Sequence, residues 1–458
     1  MNSLQRRLPR IPDLLALHRQ QPGRYPFLLE SLSGSSANSR FDILFAFPTE
    51  ELVCAANGLL EGPCDNKTTG FLPALDGWWT RERRPAATGL QPLPFSGGWF
   101  IYLGYELAGQ IEPRLTLPPF PEQVPTAFAT RIPAAVLIDR QASAAFLVVE
   151  PGHEALLDAM ESDVQRSEAP ATLETSPACG QAVVHEDNPA QFLSGVRAAK
   201  EYITAGDVFQ VNLSRSWWGQ LPTGIDAVAL YARLRESNPA PFAGLVRRGD
   251  WYLASSSPER LVRVTGEVID TRPIAGTRPR GNTSAQDLQQ WQALLSHPKE
   301  RAEHIMLIDL ERNDLGRVCV PGSVRVSELM VVESYRHVHH IVSNVQGRLR
   351  EGTTPGQVIA AVFPGGTITG CPKVRCMEII SELEGVGRGP YTGTLGYLNC
   401  DGSLDMNILI RTVSIHGARW LLRAGAGIVA DSMPERELDE TRAKARGLLT
   451  ALRCGSEP

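Results

Sequence analysis

The sequence predicts an α+β fold in one large unit. Three observations carry this. Residues 1–150 are strand-rich, with apolar runs at 40–47, 97–105 and 134–149. Residues 190–458 alternate strands with helices, among them PKERAEHIMLIDLERNDLG at Pro298–Gly316. A chain of 458 residues, 43% hydrophobic and 21% charged, has the composition of a soluble globular protein with a sizeable core.

The N-terminus has two early arginines but no apolar core segment of a secretory signal. LLES, ending at Ser31, follows Tyr25-Pro26-Phe27, and Gly34-Ser35-Ser36 breaks the pattern. Residues 40–47 alternate enough for a strand, 97–105 read as a strand ending at a glycine turn, and 134–149 as two strands joined by a polar turn. A helix and then a Ser/Pro/Thr-rich stretch follow. They divide the chain into an N-terminal part (1–150), a connector (151–189) and a C-terminal part (190–454).

In the C-terminal part, residues 189–205 form a helix ended by Gly206, and 207–216 are strand-like. A strand at 251–261 runs into SSSPER. Glu259 then sits on a loop between strands, where partial burial raises a carboxyl pKa and suits a general acid. The alternative is a solvated side chain or a bond to Arg260. TRPIAGTRPRG (271–281) is a Pro/Gly-punctuated turn. Gly276-Thr277 there can offer backbone N–H groups and a hydroxyl to an anion, or be a plain turn. Pro298 starts a helix as a first-turn proline, with an apolar stripe at Ala302, Ile305, Met306 and Leu310. Glu300 and Glu303 share one side of it, and Glu437 and Glu440 repeat the spacing in PERELDETRAKA. Two such faces meeting would make an oxygen-rich site for a hard cation such as Mg²⁺. The alternative is solvated faces with charge pairs Glu300–His304 and Glu440–Lys444.

FPGGTITGCPK (363–373) is a second glycine-rich loop, opening a helix at 374–383. It lacks the G-K-[ST] ending of a nucleotide loop. Strands follow at 391–398 and 405–414. Arg411 interrupts the apolar run MNILIRTVSI, so it needs an anionic partner: a ligand carboxylate, or Asp405. Gly425 and Gly427 break LLRAGAGIVA, which marks a close backbone approach or a bulge.

Other classes are excluded by composition. A net charge of -5 with no basic tail argues against nucleic acid, and no apolar run is long enough for a membrane span. Eight scattered cysteines without C-x-x-C, with Cys371 and Cys376 as buried thiols, fit a reducing compartment, hence a cytosolic protein.

SPER, PIAGT, KERAEH, VHHIVS, FPGGTITGCPKVR, GAGIVADS and ERELDET, in this order, resemble the chorismate-utilising enzymes: anthranilate synthase large subunits, aminodeoxychorismate synthase component I, isochorismate and salicylate synthases. The resemblance covers nearly the whole chain. It implies two antiparallel sheets packed together with helices outside. It implies that Glu303 and Glu440 hold Mg²⁺ with Glu300 and Glu437 beside them, and that Glu259 protonates the departing C4 hydroxyl. His340 would sit near the reacting ring, and Arg411 and Tyr391 would bind the enolpyruvyl carboxylate, with backbone amides around Gly276, Thr277, Gly425 and Gly427. Ser31, Phe41 and Phe242 would line a pocket of the tryptophan-binding type.

The water-using branch has a lysine base where this chain has Gln210, and glutamine cannot act as that base. SRFDI, VNLS, FPGGTITG and the length resemble aminodeoxychorismate synthase component I, which implies 4-amino-4-deoxychorismate as product and a separate glutamine amidotransferase supplying ammonia. Ala275 departs from the P-I-K-G-T form of that branch. It and Tyr391 are as in anthranilate synthase component I, the alternative. A third reading, from another class, is a catalytically silent tryptophan-binding relative; the intact Glu259, Glu303, Glu440 and Arg411 set speaks against it.

Overall fold

Several strands are buried along their whole length, Gly98–Leu103, Ala134–Asp139 and Ala144–Val149 among them. Strands of this kind must be covered on both faces. The computed structural model, which describes residues 4–33, 40–65, 68–85, 93–167, 183–281, 283–334 and 338–452, with Thr277 and Lys299 described by backbone alone, covers them with four layers. Two large antiparallel sheets face each other and helices cover their outer sides. The break at 34–36 and the connector stretch 168–182 lie outside the described residues.

Among the described residues the first sheet has twelve strands. Its path runs from Leu4–Arg7 through Phe41–Ala46, Phe27–Glu30, Phe242–Arg248, Trp251–Ser257, Thr412–His416 and Arg419–Ile428 to Gln210–Gln220 and Val184–Glu186. The second has eleven, from Ile274–Pro279 through Val338–Arg348, Arg260–Thr265, Leu404–Asn407, Thr394–Asn399 and Gly98–Leu103 to Glu51–Cys54 and Leu60–Glu61. Each sheet draws strands from both sides of the connector.

An aromatic core joins the layers. Phe27, Phe45 and Trp251 of the first sheet meet Phe100, Phe128 and Leu395 of the second, with the Phe27 and Phe100 rings stacked at 4.1 Å. Helices Leu14–Gln20, Ala155–Ser167, Ala227–Ser237 and Pro434–Leu452 cover the outside of the first sheet. Phe71–Glu82, Pro298–Gly316 and Pro355–Val362 cover the second.

Four local readings are corrected. Residues 271–281 are not a turn. They hold the strand Ile274–Pro279, whose register against Val338–Arg348 shifts between Ala275 and Thr277, where Gly276 adopts φ +71. Residues 405–414 are not one strand: Leu404–Asn407 belongs to the second sheet and Thr412–His416 to the first, and Arg411, at φ +52, lies on the crossing between them. The apolar stripe of Pro298–Gly316 is also different. Leu310 is buried as expected, but Ala302 and Ile305 are exposed, and His304, Leu307, Ile308, Glu311, Asp314 and Leu315 are buried beside it. The buried side carries a histidine and two carboxyls, so its period is invisible in hydropathy. Finally, Cys376 is buried but Cys371 only half-buried.

One buried cluster ties the sheet to the turn that bears Tyr391. Glu384 accepts from Arg388 and Arg423, each at 2.7 Å, and all three side chains are at most 4% exposed. Arg388 also donates to the Asn212 carbonyl at 2.7 Å and lies 5.5 Å from the Tyr391 ring centre. Glu384→Ala strips both arginines of their partner, and the expected loss is about 3–5 kcal/mol. Urea denaturation checks it; an unchanged midpoint would mean the arginines find other partners.

Candidate active site

The site is built where the sheets come together around the crossing at Arg411. On the first sheet, Gly425 and Gly427 pair regularly with Ser214 and Asn212 of the neighbouring strand, so the glycines mark close approach and not a bulge. A Cβ on Gly425 would stand 2.7 Å from the Tyr391 hydroxyl and 2.6 Å from the Leu213 carbonyl oxygen. One on Gly427 would stand 2.7 Å from Gln210 Nε2. Tyr391 precedes the strand Thr394–Asn399 and is buried, and its hydroxyl is pushed up to about 12 by burial, against the neighbouring Arg388. Arg411 is half-buried. Burial lowers its pKa, and Tyr391 is the group that opposes this. Asp405 is not its partner: that carboxylate takes Arg260 at 2.8 Å. The same pair removes the alternative of a Glu259–Arg260 bond.

On the second sheet, the His340 ring is 6% exposed and bonds to the Gly276 backbone. Burial, then the Arg411 charge, pushes it down to about 4, so it is neutral near pH 7. A Cβ on Gly276 would stand 2.9 Å from Glu300 Oε2, which places this bulge against the Pro298–Gly316 helix. Thr277 pairs through its backbone with His340.

Glu259 lies at the head of the strand Arg260–Thr265 and is 5% exposed. Burial pushes its carboxyl up to about 7, opposed by the Thr367 hydroxyl, the Ile274 N–H at 3.4 Å and the Lys444 charge. Lys444 donates to Glu440 Oε1 at 2.7 Å and to the Gly425 carbonyl at 2.9 Å. A chain of neighbours therefore runs from Glu440 through Lys444 to Glu259 and Gly425, and on through Tyr391, Arg411 and His340 to Gly276 and Glu300.

The carboxylates are less closely gathered than a cation cage. Glu300 is 3.9 Å from Arg278 Nη2, and His304 does not pair with it but with Ser343 at 2.6 Å. Glu303 and Glu437 are half-buried, and Glu440 is exposed. Among the described residues no group of three or more His, Cys, Asp or Glu side chains could hold a metal ion. Mg²⁺ takes only one or two protein carboxylates and completes its shell with water and substrate oxygens. The donor set thus fits that ion in kind, while Glu440 makes the i+4 charge pair with Lys444 that the alternative reading expects.

Ser31, Phe41 and Phe242 are not part of this site. They line a separate cavity of about 620 Å³ together with Arg40, Arg260 and Tyr397. Arg40 lies 4.6 Å from the Phe41 ring centre and Arg260 4.9 Å from that of Phe242.

Sequence reasoning missed the Arg388–Glu384–Arg423 support and the buried polar side of Pro298–Gly316. Lys444 was legible only as an i+4 partner of Glu440.

The sequence profile of the chorismate binding enzymes matches residues 63–450. The chain belongs to the chorismate-binding enzymes. It is 41% identical over 468 aligned residues to an anthranilate synthase component 1 of Synechocystis, covering 94% of this chain and 91% of that one. It is equally 41% identical over 370 residues to an aminodeoxychorismate synthase component 1 of Bacillus subtilis, covering 79% and 78%. Its fold matches the crystal structure of anthranilate synthase component I from Streptococcus pneumoniae with a TM-score of 0.79 at 32% identity, covering 91% of this chain and 93% of that one. This chorismate-binding enzyme has, among the described residues, no helix long and apolar enough to cross a membrane.

The two glycines separate backbone from side-chain crowding. Gly425→Ala forces a Cβ onto the Leu213 carbonyl and is expected to destabilise by about 1–3 kcal/mol. Gly427→Ala meets only the end of a flexible Gln210 side chain and is expected to cost under about 1 kcal/mol. Melting temperatures of the two variants check the order.

Proposed function

We propose that this enzyme aminates chorismate with ammonia, the 4-hydroxyl leaving as water. The observation that carries the reading is Glu259, a buried carboxyl still partly protonated near pH 7 beside the cationic Lys444. Hydroxide is a poor leaving group and needs a proton as it departs, which Glu259 supplies. Arg411 and Tyr391 hold the enolpyruvyl carboxylate, and the backbone around Gly276, Thr277, Gly425 and Gly427 closes on the substrate. Neutral His340 lines the ring without adding charge. Gln210, beside Gly427, supports amination over hydration, because it has no basic group to activate water.

Glu303 and Glu440 would hold Mg²⁺, flanked by Glu300 and Glu437. Bound there, the ion supplies positive charge for the ring carboxylate of chorismate. Ammonia comes from a separate glutamine amidotransferase, and free ammonium replaces it in vitro. The cavity at Ser31, Phe41 and Phe242 takes tryptophan as regulator or resident ligand.

The product in this reading is 4-amino-4-deoxychorismate, for 4-aminobenzoate and folate, supported by VNLS at 211–214 and FPGGTITG at 363–370. A specific observation favours anthranilate as a second reading. Position 275, next to the Gly276 bulge, is alanine and cannot attack the ring as a lysine could. Incubation with chorismate, Mg²⁺ and ammonium, with and without aminodeoxychorismate lyase, decides between them. Lyase-dependent 4-aminobenzoate supports the first product, and lyase-independent anthranilate and pyruvate the second. No consumption of chorismate would sink both.

Two variants test the roles. Glu259→Gln is expected to lower kcat at least about 100-fold without unfolding the chain. In the parent, the raised carboxyl holds its proton below about pH 7 and loses it above, so the rate per free ammonia, whose share of added ammonium itself grows with pH, should fall on the alkaline side. A rate per free ammonia that rises through that range would remove Glu259 as the acid. Glu303→Gln is expected to abolish Mg²⁺-dependent turnover with an unchanged melting temperature. Full activity, with the parental response to added Mg²⁺, would take Glu303 out of the metal site.

A further inference from the structure

The face of the strand Gln210–Gln220 that looks onto Gly425 and Gly427 carries polar side chains in a row: Gln210, Asn212 and Ser214. Ser214 is paired. Its hydroxyl donates to Glu384 at 2.9 Å and accepts from Arg423 at 3.0 Å. The two residues before it are different. Gln210 and Asn212 are each 7% exposed, and neither Gln210 Oε1 nor Asn212 Oδ1 has a hydrogen-bond partner among the described residues.

The backbones of both are pinned. The Asn212 N–H donates to the Thr369 carbonyl at 2.9 Å, and the Asn212 carbonyl accepts from Arg388 at 2.7 Å. Gln210 pairs with Cys371, and its carbonyl accepts from the Cys376 thiol at 3.1 Å. The side-chain amides lean against the glycine wall. Asn212 Oδ1 stands 2.7 Å from where Gly425 would carry a Cβ, and Gln210 Nε2 stands 2.7 Å from the same point on Gly427. Glycine at both positions leaves these amides uncovered. The Tyr391 hydroxyl lies against Gly425 too, yet it does not bond to Asn212 Oδ1.

A buried oxygen without a donor costs stability, and packing alone would be served by an apolar side chain. What both amides call for is a ligand with hydrogens to donate. Chorismate meets this poorly: it is a dianion with a single hydroxyl, and its carboxylates are acceptors only. Ammonia carries three N–H groups.

We propose that Asn212 and Gln210 form the ammonia site of this enzyme, their side-chain oxygens accepting N–H groups of the attacking molecule. The proposal rests on the amination reading above. Ammonia attacks through its lone pair, so a productive site holds it by its hydrogens. A donor would occupy the lone pair, and a carboxylate would favour ammonium, which has none. A neutral amide oxygen does neither. The spacing agrees. A nitrogen bonded to two acceptors spans roughly 6 Å between them, close to the about 7 Å between successive residues on one face of a strand. Gln210 thus contributes an acceptor as well as lacking a base, and Asn212 joins the site beside Tyr391.

Asn212→Leu and Gln210→Met replace each amide by an apolar side chain of similar shape. Initial rates of the full chain are measured over a grid of chorismate and ammonium concentrations, at saturating Mg²⁺ and fixed pH. Each variant is expected to raise KM for ammonium about tenfold with KM for chorismate parental. Each melting temperature is expected to hold or rise, because an unpaired buried oxygen is removed. Gln210→Met decides the matter should Asn212→Leu fail to fold. A parental KM for ammonium in the folded variants, or a rise in KM for chorismate in its place, overturns the ammonia site and leaves the function reading standing. A parent that consumes no chorismate overturns the function reading and the ammonia site with it.

Discussion

Two sheets that bury both of their faces leave little room for charge, and the rest of the structure follows from that constraint. Aromatic rings such as Phe27 and Phe100 fill the space between the layers, and helices seal the outsides. One set of buried polar groups stands where the chain leaves one sheet for the other or where glycines lower the wall. The crossing that bears Arg411, the Gly276 bulge and the Gly425–Gly427 strand are such places, and they converge. Burial there decides protonation: it keeps His340 neutral and lets Glu259 hold a proton.

The fold positions these groups with few interactions of their own. Glu259 is set by the strand it heads and by the Ile274 N–H. Tyr391 is set by a buried arginine that is in turn fixed by Glu384 and a strand carbonyl. Lys444 reaches from one helix to a strand carbonyl and so fixes the helix that carries Glu440 and Glu437. The candidate groups thus stand on both sheets and two helices, and a shift between the layers would move all of them.

Much of this was legible in the sequence, and the failures share a cause. Apolar strand runs, the Pro298 start and the paired glycines of LLRAGAGIVA each carry a local signal, because strand burial, helix entry and close approach depend on the residue types themselves. What approaches Gly425 is not local: Tyr391 arrives from another strand's entry loop. MNILIRTVSI reads as one strand because both halves are buried, although they belong to different sheets. Of the stripe expected on Pro298–Gly316 only Leu310 is buried, because His304, Glu311 and Asp314 occupy buried positions that hydropathy gives to solvent.

The sheet pairings also bear on how the chain comes to exist. Gly98–Leu103 pairs with Thr394–Asn399, and Phe27–Glu30 with Phe242–Arg248. During synthesis the early strands emerge long before their neighbours, with apolar faces and open edges. Contacts so distant in sequence form slowly and expose surfaces that aggregate. The arrangement that lets one continuous wall surround the site therefore makes the newborn chain dependent on its last third, and a ribosome-stalled fragment would be a client for chaperones.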